Sequence, residues 1–198
     1  MKFKLFFAIP LLFLAGCAGS PYAETLKYDR LREYKGSDFG TAVASVGHLK
    51  STPYTVSSLT FRLKGTNDLG AFIYAPKSYK PSPTDFNTSD AEGTVMTVKL
   101  PPGEYEVYLA TGEWGAINYR FSARVSVKPQ WTFTVESGKV AYIGRFLVGF
   151  NGARESPPAN VQGSDMREFD TSKAAERDPS LNTQDVRSFV PPSDRRRF

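Results

Sequence analysis

Between Tyr54 and Phe150, apolar and polar residues alternate with a period of two, in short runs closed off by glycine and proline. That spacing sends successive side chains to opposite faces of an extended chain, so each run reads as a half-buried strand and not as a helix. Leu59, Phe61 and Leu63 alternate with Ser58, Thr60 and Arg62, and Met96, Val98 and Leu100 alternate with Thr97 and Lys99. Phe121, Ala123, Val125 and Val127 alternate with Arg120, Ser122, Arg124 and Ser126, and Trp131, Phe133 and Val135 with Thr132, Thr134 and Glu136. Further strands are expected over 69–75, 104–110 and 139–150, with an edge strand over 41–49. The 139–150 run is apolar on both faces, which requires a central or covered position. Sixteen of the 27 aromatic residues fall within 54–150, a density that suits one core. The expectation is a mainly β chain: a seven- to eight-stranded antiparallel β-sandwich over 38–150, with one long loop over 76–93.

The N-terminus carries a different signal. Lys2 and Lys4 precede the apolar stretch 5–14, followed by Ala15, Gly16 and Cys17, the layout of a secretory leader. Pro10 and the lack of any polar face argue against a packed helix there, and no apolar run reaches the roughly 18 residues of a membrane-spanning helix. Leu14-Ala15-Gly16-Cys17 resembles the bacterial lipobox. The resemblance implies a signal peptide over 1–16, diacylglyceryl attachment at Cys17 and acylation, as with palmitate, of the amino group freed behind Gly16. The mature chain would then keep 198 − 16 = 182 residues, and its charge would fall from +5 to 23 − 20 = +3. At about 0.8 kcal/mol per buried methylene, three acyl chains would hold it on a membrane without a spanning helix. Ala18 stands where an aspartate would signal inner-membrane retention, so the implied address is the outer membrane, facing the periplasm. Residues 17–37 read as the lipidated cysteine and a polar tether.

Beyond Phe150 the composition shifts. Of the 48 residues from Asn151 to Phe198, 16 are charged and three are aromatic, too few to build a second core. A polar tail with two short helices is expected. One starts at Ser164 or Asp165, with Glu168 at a capping-box position, and ends before Asp178-Pro179; the other covers 182–190, with Val186, Phe189 and Val190 as a stripe able to dock on the sandwich. The basic cluster within 194–198 reads as a solvated end.

Two internal segments stand out. In Leu100-Pro101-Pro102-Gly103-Glu104-Tyr105-Glu106-Val107, prolines stop one strand and alternation restarts at Tyr105, which reads as a hairpin. It resembles the "L-x-P-G-x-Y-x-V" hairpin of prealbumin-like sandwiches such as carboxypeptidase regulatory modules. Val135-Glu136-Ser137-Gly138-Lys139-Val140-Ala141-Tyr142-Ile143-Gly144 is similar to the hairpin that closes such domains in small bacterial outer-membrane lipoproteins of unassigned function. Together the two resemblances cover about half the chain and imply a prealbumin- or Ig-like sandwich. They carry over no catalytic residues.

Function is less legible. One cysteine, committed to lipid, and one histidine leave no ligand set for a structural metal and no internal disulfide, and nothing calls for a cofactor. His48 lacks the company of a nucleophile elbow, a phosphate loop or a zinc-binding helix, and Glu104 and Glu106 read as ordinary solvent-side residues, so no catalysis is expected. Tyr79, Tyr108 and Trp114, the last in an expected Gly112-Glu113-Trp114-Gly115 turn, are the candidate binding residues. The leading expectation is a non-catalytic module for another envelope protein. The alternative is a glycan-binding module that touches peptidoglycan or surface polysaccharide. Nucleic acid is not an expected partner of an exported lipoprotein.

Overall fold

The computed structural model describes residues 34–51, 55–76, 81–116, 119–125, 131–150 and 159–190. The leader, Cys17, most of the tether, Tyr79 and the basic end lie outside the described residues. The chain is mainly β, with two sheets and one helix of moderate length among the described residues. In chain order the elements are β1 (Gly40–Leu49), β2 (Thr55–Leu63), β3 (Leu69–Tyr74), β4 (Phe86–Asn87), β5 (Ala91–Leu100), β6 (Gly103–Ala116), β7 (Tyr119–Val125), β8 (Thr132–Val135), β9 (Val140–Phe150), β10 (Ala159–Ser164), α1 (Arg167–Arg177) and β11 (Val186–Ser188).

Sheet A runs β10-β9-β1-β5-β4, with β11 beside β9; sheet B runs β3-β2-β6-β7, with β8 beside β6. One apolar cluster draws on both sheets. Ala42, Ala44 and Val46 of β1 and Ala141, Ile143, Phe146 and Val148 of β9 meet Leu59 and Phe61 of β2, Phe72 of β3 and Val107 of β6. Within it, Phe61 packs on Phe72 and Phe133 with ring centroids 5.1 and 5.8 Å apart, and Tyr105 stacks on Phe133 at 5.1 Å. Of the period-two residues named from the sequence, Leu59, Phe61, Val98, Leu100, Phe133 and Val135 belong to this core and Leu63, Met96 and Trp131 pack against it, while the side chains of Phe121, Ala123, Val125 and Val127 lie outside the described residues.

Several expectations are corrected. Within 38–150 the described residues hold nine strands where seven or eight are expected, one of them the two-residue β4, and the pairing is not wholly antiparallel, since β9 runs parallel to both β1 and β11. The 41–49 run is not an edge strand, because β1 lies between β5 and β9. The 139–150 run does take a central place, with β1 on one side and β10 and β11 sharing the other. The 76–93 break is not one loop: β4 interrupts it and β5 already begins at Ala91. The sheet does not end at Phe150 either, since β10 and β11 extend it from the polar tail. The first tail helix starts at Arg167, two to three residues later than expected, with Met166 at its cap and no capping side chain. The expected helix over 182–190 is absent; β11 lies there instead, where the free edge of β9 offers hydrogen bonds that an isolated short helix would lack.

Both expected hairpins are crossings between the sheets. Residues 101–102 lead from β5 in sheet A to β6 in sheet B, and 136–139 lead from β8 in sheet B to β9 in sheet A. Pro101 and Pro102 remove amide donors that an antiparallel turn would use. Tyr105 instead donates its hydroxyl to the Pro101 carbonyl at 2.6 Å, and burial pushes this phenol well above its ordinary pKa, so it stays a donor. At the second crossing Lys139 N–H closes a tight turn on the Glu136 carbonyl (3.1 Å), with Gly138 at φ +68°. The start of β1 claims this turn: Gly138 N–H donates to Phe39 O (2.8 Å) and Thr41 N–H to Lys139 O (2.9 Å). Gly144, at φ +129°, sits where the β1–β9 register slips by one residue. The second motif's two glycines therefore serve a turn and a bulge, positions that L-residues with a side chain resist.

Replacing Tyr105 by Phe removes the corner hydrogen bond and keeps the ring. It is expected to lower the unfolding free energy by about 1 kcal/mol in urea titration, with an unchanged far-ultraviolet circular dichroism spectrum.

Candidate functional site

The most elaborate side-chain constellation lies on the outer face of sheet A, where α1 packs. Val43, Val95, Val140 and Tyr142 form a second apolar cluster there with Ala174 of α1, flanked by Leu181, Val186 and Val190. Beside it, Arg145 projects from β9 and pairs with Asp170 of α1; their side chains are 8% and 0% exposed. The Tyr142 hydroxyl donates to Asp170 at 2.8 Å and accepts the Met166 N–H at 3.0 Å, which fixes the start of the helix. Burial, and then the Asp170 charge, push the Tyr142 phenol far above its usual pKa, so it remains a donor. The Arg145 guanidinium lies 4.0 Å from the centroid of Phe86 and 5.1 Å from that of Phe169. At the other end of the helix, Arg177 pairs with Asp85 and donates to the Val95 carbonyl at 2.6 Å, while Asp85 accepts the Val95 N–H at 2.6 Å.

This arrangement holds an element in place; it does not open a cleft. The ion pair joins two segments of the chain and each partner offsets the other's charge, while the Arg145 Nε is buried without a hydrogen-bond partner among the described residues. Sequence reasoning passed over these residues. A signal was present: an arginine inside a strand apolar on both faces has to find a buried partner.

His48, near the end of β1, forms a smaller group. It is 2% exposed, its ring stacks on Tyr74 with centroids 5.7 Å apart, and its Nε2 lies 3.5 Å from the Glu92 carboxylate. Nδ1 is buried without a partner among the described residues. Tyr74 donates to Glu92 at 3.3 Å. Burial lowers the His48 pKa and outweighs the raising effect of Glu92, with Lys50 adding to the lowering. The ring is therefore neutral at pH 7, and it is sealed between sheets.

Tyr108 is the extra residue of a bulge in β6: Thr60 faces Leu109 and Phe61 faces Val107 across the β2–β6 ladder. It is half-buried, with the Arg62 guanidinium 5.4 Å from its ring centroid. Arg62 also pairs with Glu106, and Lys64 with Glu104 at 2.8 Å. The two glutamates are thus cross-strand partners of cations, not a carboxylate dyad. The segment around Trp114 is not a turn, because β6 continues through it to Ala116 and Trp114 pairs with Phe121 of β7. The Trp114 side chain, like Tyr79, lies outside the described residues. Tyr108 and Trp114 lie six positions apart along β6, about 20 Å of extended backbone.

A depression of about 300 Å³ lies where the 136–139 turn meets β11. Its rim carries two exposed ion pairs, Lys139 with Asp185 and Arg187 with Glu136. Among the described residues no group of histidine, cysteine and carboxylate side chains could hold a metal ion, and no helix is long and apolar enough to cross a membrane.

No family model and no curated protein matches this chain. A solved leucine-rich repeat protein from Bacteroides thetaiotaomicron aligns over 55% of the chain at 15% identity with a TM-score of 0.33; the chain spans 13% of that protein's length.

Two outcomes are expected from these clusters. Asp170→Ala strands the buried Arg145 charge and should cost about 3–5 kcal/mol of stability, whereas Arg145→Met with Asp170→Leu in one chain should cost markedly less; thermal unfolding of the three proteins checks this. The folded chain holds His48 neutral, while the unfolded chain protonates it near its ordinary value of about 6.5. Unfolding then takes up a proton, so the His48 contribution to stability is fully present above that pH and is lost as pH falls through the lower, folded value. The stability difference between wild type and His48→Phe should shift against wild type on acidification, and a difference independent of pH between 7 and 5 would contradict the assignment.

Proposed function

We propose that this chain is a non-catalytic, lipid-anchored protein of the bacterial cell envelope, held at the outer membrane through Cys17 and facing the periplasm. Its two-sheet body is a β-sandwich module of prealbumin- or Ig-like kind that binds another envelope protein. The observation that carries the reading is the order of Lys2 and Lys4, the apolar stretch 5–14 and Leu14-Ala15-Gly16-Cys17 at the head of the chain. The Tyr105 corner supports the sandwich.

What supports binding over catalysis is the state of the reactive side chains. The single histidine is sealed beneath the sheets, and Glu104, Glu106, Asp85 and Asp170 are each engaged by a cation. What supports a protein partner over a glycan is the setting of Tyr108, half-buried in the β6 bulge with the Arg62 guanidinium over its ring, where a sugar would need a free stacking face.

Metabolic labelling with radioactive palmitate tests the anchor. The full-length protein should be labelled and sediment with the outer membrane, and Cys17→Ser should be unlabelled and keep its leader. An unlabelled, soluble wild-type protein would overturn the reading. A photoreactive residue at Tyr108 in intact cells should then capture one defined envelope protein; adducts containing only glycan would favour the alternative.

A further inference from the structure

Of the six asparagines in the chain, Asn87 alone is followed two positions later by serine or threonine, in Asp85-Phe86-Asn87-Thr88-Ser89. Asn-x-Ser/Thr without an intervening proline is the acceptor pattern for N-linked glycan in exported proteins.

The geometry around this segment is that of a presented acceptor. Asn87 ends β4 opposite Glu92, is exposed, and has no hydrogen-bond partner for its amide among the described residues. The turn behind it is held rigidly. Thr88 N–H donates to the Ala91 carbonyl at 2.8 Å, the Thr88 hydroxyl accepts the Ala91 N–H at 3.1 Å, and Lys50 Nζ donates to the Thr88 carbonyl. These bonds use Thr88 and leave the exposed Asn87 and Ser89 at the end of sheet A.

We propose that Asn87 is an N-glycosylation site, an inference that rests on the export reading above. The Asn87 amide nitrogen attacks the anomeric carbon of an oligosaccharide carried on a lipid pyrophosphate. The C–N bond forms, the bond from that carbon to the pyrophosphate oxygen breaks, the lipid pyrophosphate leaves with the electron pair, and the amide proton passes to a base of the transferase.

The test is to express the full-length chain in Gram-negative cells that carry an N-oligosaccharyltransferase and its lipid-linked oligosaccharide. The protein is purified from the envelope under denaturing conditions, and Cys17 and Asn87 peptides are weighed in the same sample. Lipid on Cys17 together with one glycan mass on the Asn87 peptide is expected. The glycan-shifted band should vanish in Asn87→Gln and Ser89→Ala and persist in Ser89→Thr. Lipidated Cys17 with bare Asn87, or a shift that survives Asn87→Gln, would overturn the site while leaving the export reading standing. Chain retained inside the cell with no lipid would overturn the export reading and this inference with it.

Discussion

A buried charge governs the architecture of this chain. Arg145 sits in the middle of β9, which has β1 on one side, β10 and β11 on the other and apolar packing on both faces. An unpaired guanidinium there would cost several kcal/mol in lost hydration, so the fold is complete only when a carboxylate arrives from elsewhere. Asp170 is that carboxylate, and its position in α1 fixes the helix over sheet A. Ala174, one turn further on, then reaches Val43, Val95 and Tyr142, and Arg177 reaches Asp85 and the Val95 carbonyl. The chain leaving the helix is delivered to β9 as β11.

The same placement manages an exposed edge. Beyond the two residues of β4, no strand among the described residues pairs with the outer side of β5, an edge of the kind that can pair with another chain. Asp85 takes the outward N–H of Val95 and Arg177 takes its carbonyl, while exposed Lys99 stands further along the same strand. Helix, edge and core are therefore coupled through two ion pairs at opposite ends of α1. A blunted edge of this kind keeps the body from pairing with other copies of itself.

Much of the sheet content could be read from alternation alone, because Leu59, Phe61, Phe133, Val135 and their neighbours face the core at every second position. Sheet membership could not. Alternation resumes after Pro102 and after Gly138 whether the chain folds back beside its own strand or crosses to the opposite sheet, and the deciding bonds, Tyr105 to Pro101 and Gly138 to Phe39, join groups that local pattern does not relate. The tail was harder still. Residues 182–190 carry a stripe that suits a helix, yet the edge of β9, 46 residues earlier at the Val186–Val140 pair, makes 186–188 a strand. Residue type marks the candidate aromatics, and type does not reveal that Tyr108 occupies a bulge beneath Arg62.

Native-state hydrogen exchange on the full-length protein tests the central claim, that α1 is locked into the core through Arg145 and Asp170. The account predicts that α1 amides and those of β9 near Arg145 exchange together, with an opening free energy close to that of global unfolding. Exchange of α1 at rates typical of a frayed surface helix, while β9 stays protected, would contradict it.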